Sequence, residues 1–325
     1  MFRGGRPPTH PLDDGSWSPP DPGAVVVPGT VSGRRPGRAR RSAGDNGPVT
    51  DDSAPAAADA GDEPLLVVAQ VSDIHLGSEQ RHIADGLLQD LRAVDPDVMV
   101  VSGDLTMRAR SHQFAAARAY LDVLPQPVLV VPGNHDIPLI NLGRRMTSPF
   151  RRYQQHISED LDPVLHLPGA TIVGLNSMPR WRWKAAHVSP RQCALVESTF
   201  AAAAPDDARI VVTHHPVLPS DLSGFVGRSD LTASLARARV DLLLAGHTHD
   251  PLVAPVVVDD GGGEHELLSV VAGTAISDRL RGTSNSYPVI TIRPRRIEVQ
   301  VRQWDGTGFS PSVTSTFDRS WEREV

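Results

Sequence analysis

From residue 64 the chain alternates short apolar runs with stretches whose apolar side chains recur every three or four positions. Residues 65–71, 98–101 and 128–131 are strand-length runs, ending in Ser72-Asp73, Ser102-Gly103-Asp104 and Pro132-Gly133-Asn134-His135-Asp136. Between them, Ile83, Leu87, Leu88, Leu91 and Val94, and then Phe114, Ala117, Leu121 and Leu124, fall at helical spacing. The alternation predicts a central, partly parallel sheet covered by helices. Residues 170–175, 209–213 and 240–244 continue the theme, with a helix near 190–203, and the last run ends in Ala245-Gly246-His247. Beyond it the pattern turns to hairpins: 252–258, a turn at 260–263, then 266–272, 289–292 and 297–304.

Residues 1–63 lack this pattern. Glycine and proline fill 20 of these 63 positions, and Val25-Val26-Val27 is the longest apolar cluster. A basic block around Arg34–Arg41 precedes an acidic stretch containing Asp45, Asp51, Asp52, Asp59, Asp62 and Glu63. Such a segment cannot bury enough apolar surface to offset its ordering entropy, and it reads as a disordered leader without a signal-peptide core. The organisation expected is a leader over 1–63, one domain over 64–304 and a tail over 305–325.

Composition narrows the function. A formal charge of -6 over 325 residues argues against a nucleic-acid partner tracked over a broad basic face. No run reaches the roughly 18 apolar residues of a membrane-spanning helix. The single cysteine, Cys193, excludes an internal disulfide and reads as a small apolar residue on its helix. Together with the absent export signal, it points to the cytoplasm. Oligomeric state is not written in the pattern.

The chemistry lies where the runs stop. Asp73, His75, Asp104, Asn134, His135, His214, His247 and His249 all follow expected strand ends, the edge at which open α/β sheets bind ligands. Carboxylate, amide and imidazole without cysteine suit divalent metals such as Mn, Fe or Zn. In Asp73-Ile74-His75 the i, i+2 spacing on an extended segment would aim both groups at one metal. His247-Thr248-His249 repeats that spacing, with Gly246 expected to let the backbone turn. His10, His82, His112, His156, His166, His187 and His265 lack such neighbours and read as ordinary surface or core side chains. Arg144, Arg145, Arg151 and Arg152 read as a solvated helix face, with a substrate clamp as the alternative. Trp181 and Trp183 would either stack on substrate or seal their loop.

Asp73-Ile74-His75, Gly103-Asp104, Gly133-Asn134-His135-Asp136, His214-His215-Pro216 and Gly246-His247-Thr248-His249 together resemble the calcineurin-like metallophosphoesterases, in the family's order. Gly103-Asp104-Leu105-Thr106 and His214-His215-Pro216 look like its class III cyclic-nucleotide phosphodiesterase branch. The resemblance implies a four-layer α/β/β/α sandwich, a mixed β-sandwich flanked by helices. It also implies two divalent metals, one held by Asp73, His75 and His249, the other by Asn134, His214 and His247, with Asp104 bridging. His215 would stand behind the ligands, and His135 would face the phosphoryl group as the general acid. Two such ions can bridge a water, lower its pKa and present hydroxide to phosphorus. The implied activity is hydrolysis of a small phosphoester, a phosphodiester such as a cyclic nucleotide or a phosphomonoester. Arg279 and Arg281, in a stretch similar to bacterial members of that branch, are candidate phosphate contacts. A DNA-repair-type nuclease and a catalytically silent binding scaffold are the alternatives.

Overall fold

The computed structural model describes residues 63–179, 185–219 and 225–319. Apart from Glu63, the expected leader lies outside the described residues, as do Trp181 and Trp183. Two six-stranded sheets form the centre. The first contains β1 (Leu66–Val71), β2 (Val98–Val101), β3 (Val128–Val130), β12 (Ser286–Ile292), β13 (Arg296–Trp304) and β14 (Phe309–Asp318), in the order β14-β13-β12-β1-β2-β3. The second contains β4 (Val164–Leu167), β5 (Ala170–Leu175), β7 (Ala208–Thr213), β9 (Leu242–His249), β10 (Leu252–Asp259) and β11 (Glu264–Gly273), in the order β10-β11-β9-β7-β5-β4. A short pair, β6 (Ala186–His187) and β8 (Phe225–Val226), lies apart. β1, β2 and β3 run parallel, as do β5, β7, β9 and β11, while the remaining pairings in the two large sheets are antiparallel.

The period-two alternation of each strand sorts its side chains into layers. Leu66 and Val68 of β1, Val98 and Val100 of β2, and Leu129 pack inward against Ile172, Ile210, Val212, Leu242 and Leu244 of the second sheet. The alternate residues face outward. Ala69, Val71, Met99 and Val101 meet α1 (Arg81–Val94) and α2 (Ser111–Val123) through Ile83, Leu87, Leu91, Phe114 and Leu121. Val173, Val211 and Leu243 meet α5 (Pro190–Ala202) and α6 (Arg228–Arg237) through Val196, Phe200, Leu231 and Leu235. Each fully buried aliphatic side chain contributes on the order of 1.5–3 kcal/mol. The result is the four-layer α/β/β/α sandwich, with both parallel cores aimed at one rim.

Local signals set the helix ends. Ser189 caps α5 by accepting from the Gln192 N–H, and the Gln192 side chain returns the bond to the Ser189 N–H at 2.9 Å. α1 stops at Asp95, whose φ of 50° is left-handed.

Two expectations change. The sheet does not end at residue 304, because β14 pairs with β13 along its length and completes the first sheet's edge. Its Ser/Thr-rich, largely exposed sequence carries no apolar run, as suits an edge strand. Arg145 lies on α3 (Leu142–Thr147) and is buried rather than solvated, donating to the Pro138 carbonyl at 3.2 Å. Cys193 is buried on α5, as its pattern suggested.

Candidate metal centre

The loops after β1 and β2 are zipped together by their backbones. Asp73 N–H donates to Gly103 O at 3.1 Å, His75 N–H to Asp104 O at 2.9 Å, and Leu76 N–H to Leu105 O at 2.9 Å. Asp73, His75 and Asp104 have φ of 53°, 48° and 54°, all left-handed, so Asp73-Ile74-His75 is not the extended segment its spacing suggested. His247 and His249, at 71° and 64°, share this geometry. They lie inside β9 rather than beyond its end, opposite the register shift between Val271 and Gly273 of β11. Each such residue carries a backbone cost of about 1–2 kcal/mol, and strain of this kind concentrates at functional sites.

Glycines let the loops close on one another. A Cβ on Gly103 would lie 2.5 Å from His214 Nδ1, one on Gly133 2.1 Å from Asp104 Oδ1, and one on Gly246 1.8 Å from Ser72 Oγ. Gly246 is therefore required for the approach of β9 to the Asp73 loop, not for a sharp turn. Gln70, a polar residue within the apolar β1, ties the same seam by donating to Ala245 O at 2.7 Å and Ser102 Oγ at 3.0 Å. Its position in an otherwise apolar run was the signal available in the sequence.

These contacts gather Asp73, His75, Asp104, Asn134, His135, His214, His247 and His249 into one cluster. Potential ligand atoms of Asp73, His75 and His249 lie within 4.8 Å of one another, as do those of Asp73, Asp104 and His214, and those of His75, Asp104 and His135. Asp73 Oδ2 accepts from Ser72 Oγ at 2.7 Å and from the His247 N–H at 2.9 Å. Asp73 Oδ1 has no hydrogen-bond partner, although His249 Nε2 lies 3.2 Å away. Asp104 Oδ1 accepts from the His135 N–H at 2.8 Å and faces His214 Nε2 at 3.4 Å. Asn134 Oδ1 stands between His214 Nε2 at 3.1 Å and His247 Nδ1 at 2.9 Å.

The imidazoles test whether cations fit. His214 Nδ1 donates to Ser102 O at 2.8 Å and His249 Nδ1 to Arg279 O at 2.5 Å, the contact that fixes the ring of a metal-ligating histidine. That leaves each neutral ring with an Nε2 lone pair aimed at carboxylate oxygen. His75 Nε2 and His249 Nε2 also face each other at 3.4 Å. Lone pairs converging on anionic oxygens repel unless positive charge lies between them, so the donor set fits divalent cations.

The titration behaviour agrees. Burial opposes ionisation of Asp73 and Asp104, but the facing imidazoles outweigh it and hold both below the ordinary carboxylate range. Burial lowers His75 and His247 to about 4, keeping them neutral. Burial also works against a charge on His214, yet Asp104 and Asp73 prevail and lift it to about 9.

The neighbouring side chains now have places. Asp136 accepts from the N–H groups of Leu105, Thr106 and Gly133 at 3.1, 2.9 and 2.9 Å, so it holds the two loops rather than its neighbouring histidine. Burial, with the Asp104 charge nearby, raises its pKa to about 7. His215 is fully buried behind the cluster, 3.1 Å from Ser177 Oγ and with its ring 4.3 Å from that of His247. His135 Nδ1 lies 2.8 Å from Met107 O, and Arg279 Nη1 reaches His135 Nε2 at 3.0 Å. Arg279 thus touches the cluster twice, with its carbonyl on His249 and its guanidinium on His135. Arg281 is exposed and makes no hydrogen bond or ion pair among the described residues.

The family model for calcineurin-like phosphoesterases matches residues 66–251, which include every residue of this cluster. The chain belongs to that family. It is 25% identical over 211 residues to a probable cyclic nucleotide phosphodiesterase of Synechococcus sp., covering 60% of the chain and 77% of the relative. It is 34% identical over 84 residues to the glycerophosphodiester phosphodiesterase GpdQ of Enterobacter lignolyticus, a match over 22% of the chain and 30% of that protein. Among solved structures it resembles the purple acid phosphatase PPD1 of yellow lupin (Lupinus luteus), with TM-score 0.59 and 14% identity over 78% of the chain, but it spans only 53% of that protein. The structure of PhoD is similar at TM-score 0.59 and 10% identity, over 81% of the chain and 71% of PhoD. These two likenesses bear out the sandwich fold.

Proposed function

We propose that this chain is a two-metal hydrolase of phosphodiesters. The observation that carries the reading is the convergence of seven ligand-type side chains from two sheets, with imidazole lone pairs aimed at Asp73 and Asp104. Asp73, His75 and His249 would hold one cation, Asn134, His214 and His247 the other, and Asp104 both. When bound, the pair supplies positive charge to the phosphoryl oxygens and an activated water.

The remaining chemistry belongs to the chain. Met107 O fixes the His135 tautomer with its proton on Nδ1, so Nε2 accepts from Arg279. A phosphoryl group entering beside His135 competes for that guanidinium, which binds phosphate oxygens with planar, charge-assisted bonds. Released from Arg279, Nε2 can take up a proton from solvent and deliver it to the departing alkoxide. The diester preference rests on the names of the Synechococcus and Enterobacter relatives.

The test is hydrolysis by manganese-loaded protein of bis(p-nitrophenyl) phosphate, p-nitrophenyl phosphate and 3′,5′-cyclic AMP, with Asp104→Ala as the blank. Diester turnover that disappears in the blank is the expected result. Two bound metals without turnover on any of the three would overturn the diester assignment, and absent metal would leave a binding scaffold.

A further inference from the structure

A cavity of about 300 Å³ opens between the segments that follow Asp104 and His135. Arg108 and Arg110 line it from the entry to α2, Pro138 and Ile140 from the segment after His135, Arg144 from α3, and Arg152 from α4 (Arg151–His156). No carboxylate lines it. Some arginines elsewhere pair with acids: Arg118 with Asp122, Arg237 with Glu197, Arg302 with Asp90 and Arg319 with Asp241. Among the described residues, none of the four cavity arginines is in an ion pair. Arg152 makes one hydrogen bond, to Ala109 O at 2.6 Å. Burial, and then the charge of Arg144, depress its pKa.

Four like charges around one concavity repel one another. An anion in the cavity turns that repulsion into attraction, and guanidinium groups match phosphate geometry. The chain ties the cavity's lining to the reaction site. Met107, whose carbonyl fixes His135, directly precedes Arg108, and Pro138 follows His135 by three positions.

We propose that this cavity is an anion subsite, taking a second phosphoryl group of a substrate whose scissile phosphoester lies at the Asp/His cluster. The use rests on the phosphodiesterase reading above, whereas the anion site itself does not. Substrates of this class carry a phosphodiester and, a few bonds away, a phosphomonoester.

Two measurements on the manganese-loaded full chain test it, using Arg110→Gln/Arg144→Gln. Neither side chain makes a hydrogen bond to a described residue, so the double variant is expected to fold. Arg152 is spared because it holds Ala109. Calorimetric titration with inorganic phosphate should show one fewer phosphate bound per chain in the variant, whatever the metal centre contributes. The second measurement compares the p-nitrophenyl ester of thymidine 5′-phosphate with the same ester bearing a 3′-phosphate. The parent should favour the 3′-phosphorylated ester by about tenfold or more in kcat/KM. The variant should lose that preference while cleaving the plain ester within about twofold of the parent.

Equal phosphate stoichiometry in the two proteins overturns the proposal. So does sedimentation of the parent with phosphatidylglycerol but not phosphatidylcholine vesicles when phosphate stoichiometry is unchanged. That outcome would assign the arginines, with exposed Ile140, Leu142 and Met146, to a membrane surface. Loss of one phosphate without hydrolysis of either ester would sink the reading of the metal centre and support the cavity as an anion site.

Discussion

The first sheet delivers Asp73, His75 and Asp104 on two loops bonded to one another through their backbones, and Asn134 on a third loop tied to them by the carboxylates of Asp136 and Asp104. The second delivers His214, His247 and His249, and two of these rings are held by carbonyls across the seam, Ser102 O and Arg279 O. One side of the centre carries both carboxylates, on loops with three left-handed residues. The other, with left-handed residues of its own at His247 and His249, supplies three imidazoles, two of which have their useful nitrogen chosen by a carbonyl from outside their own sheet. On the proposed ligand sets neither sheet would hold a complete cation site, and substitutions on the two sides should fail differently.

The largest effect is expected at Asp104, which faces imidazoles from both sheets. Asp104→Ala should lose metal and activity together, with kcat down at least about 10³-fold, as elemental analysis and diester turnover would show. Full metal content in that variant would mean the two sides hold cations independently. His135→Gln separates chemistry from assembly. It keeps the first-sheet backbone intact, so metal content should be unchanged while kcat falls about 10²–10⁴-fold. Turnover equal to the parent would remove His135 as the proton donor.

Gly246→Ala addresses the seam itself. The new methyl would stand 1.8 Å from Ser72 Oγ and 2.8 Å from Asp73 Oδ2, so β9 must withdraw from the Asp73 loop. Overpacking of this kind costs about 1–3 kcal/mol, and it should lower both the melting temperature and manganese affinity. A variant of normal stability and affinity would show that the sheets approach less closely than the contact implies.

The strand ends that carry the cluster were legible because buried runs stop abruptly at Asp73, Asp104, Asn134 and His214. What escaped was information that side-chain identity does not encode. Every residue has a carbonyl, so nothing marked Ser102, Met107 or Arg279 as the ones that orient imidazoles. Asp-x-His reads the same whether its backbone is extended or left-handed, and only the pairing of the two loops decides. Gly246 reads as a turn because the approach of Ser72 comes from a loop 174 positions away in sequence. β14 was missed for the opposite reason: an exposed edge strand buries too little to leave an apolar signature.

The smallest effects should separate two arginines that the sequence could not rank. Arg279 and Arg281 lie in one loop, yet only Arg279 places its guanidinium 3.0 Å from His135 Nε2. Its carbonyl role survives any side-chain change, so Arg279→Ala keeps the His249 contact and should retain metal. Losing the charge beside the phosphoryl position should then lower kcat/KM about 10–100-fold, the scale of one charge-assisted contact. Arg281→Ala, removing an exposed side chain with no partner among the described residues, should stay within about twofold. Comparable losses in both variants would mean that the loop closes on substrate and brings Arg281 inward. A loss confined to Arg279 would assign the phosphate contact to the residue that touches both His249, the proposed second-sheet ligand, and His135, the proposed acid.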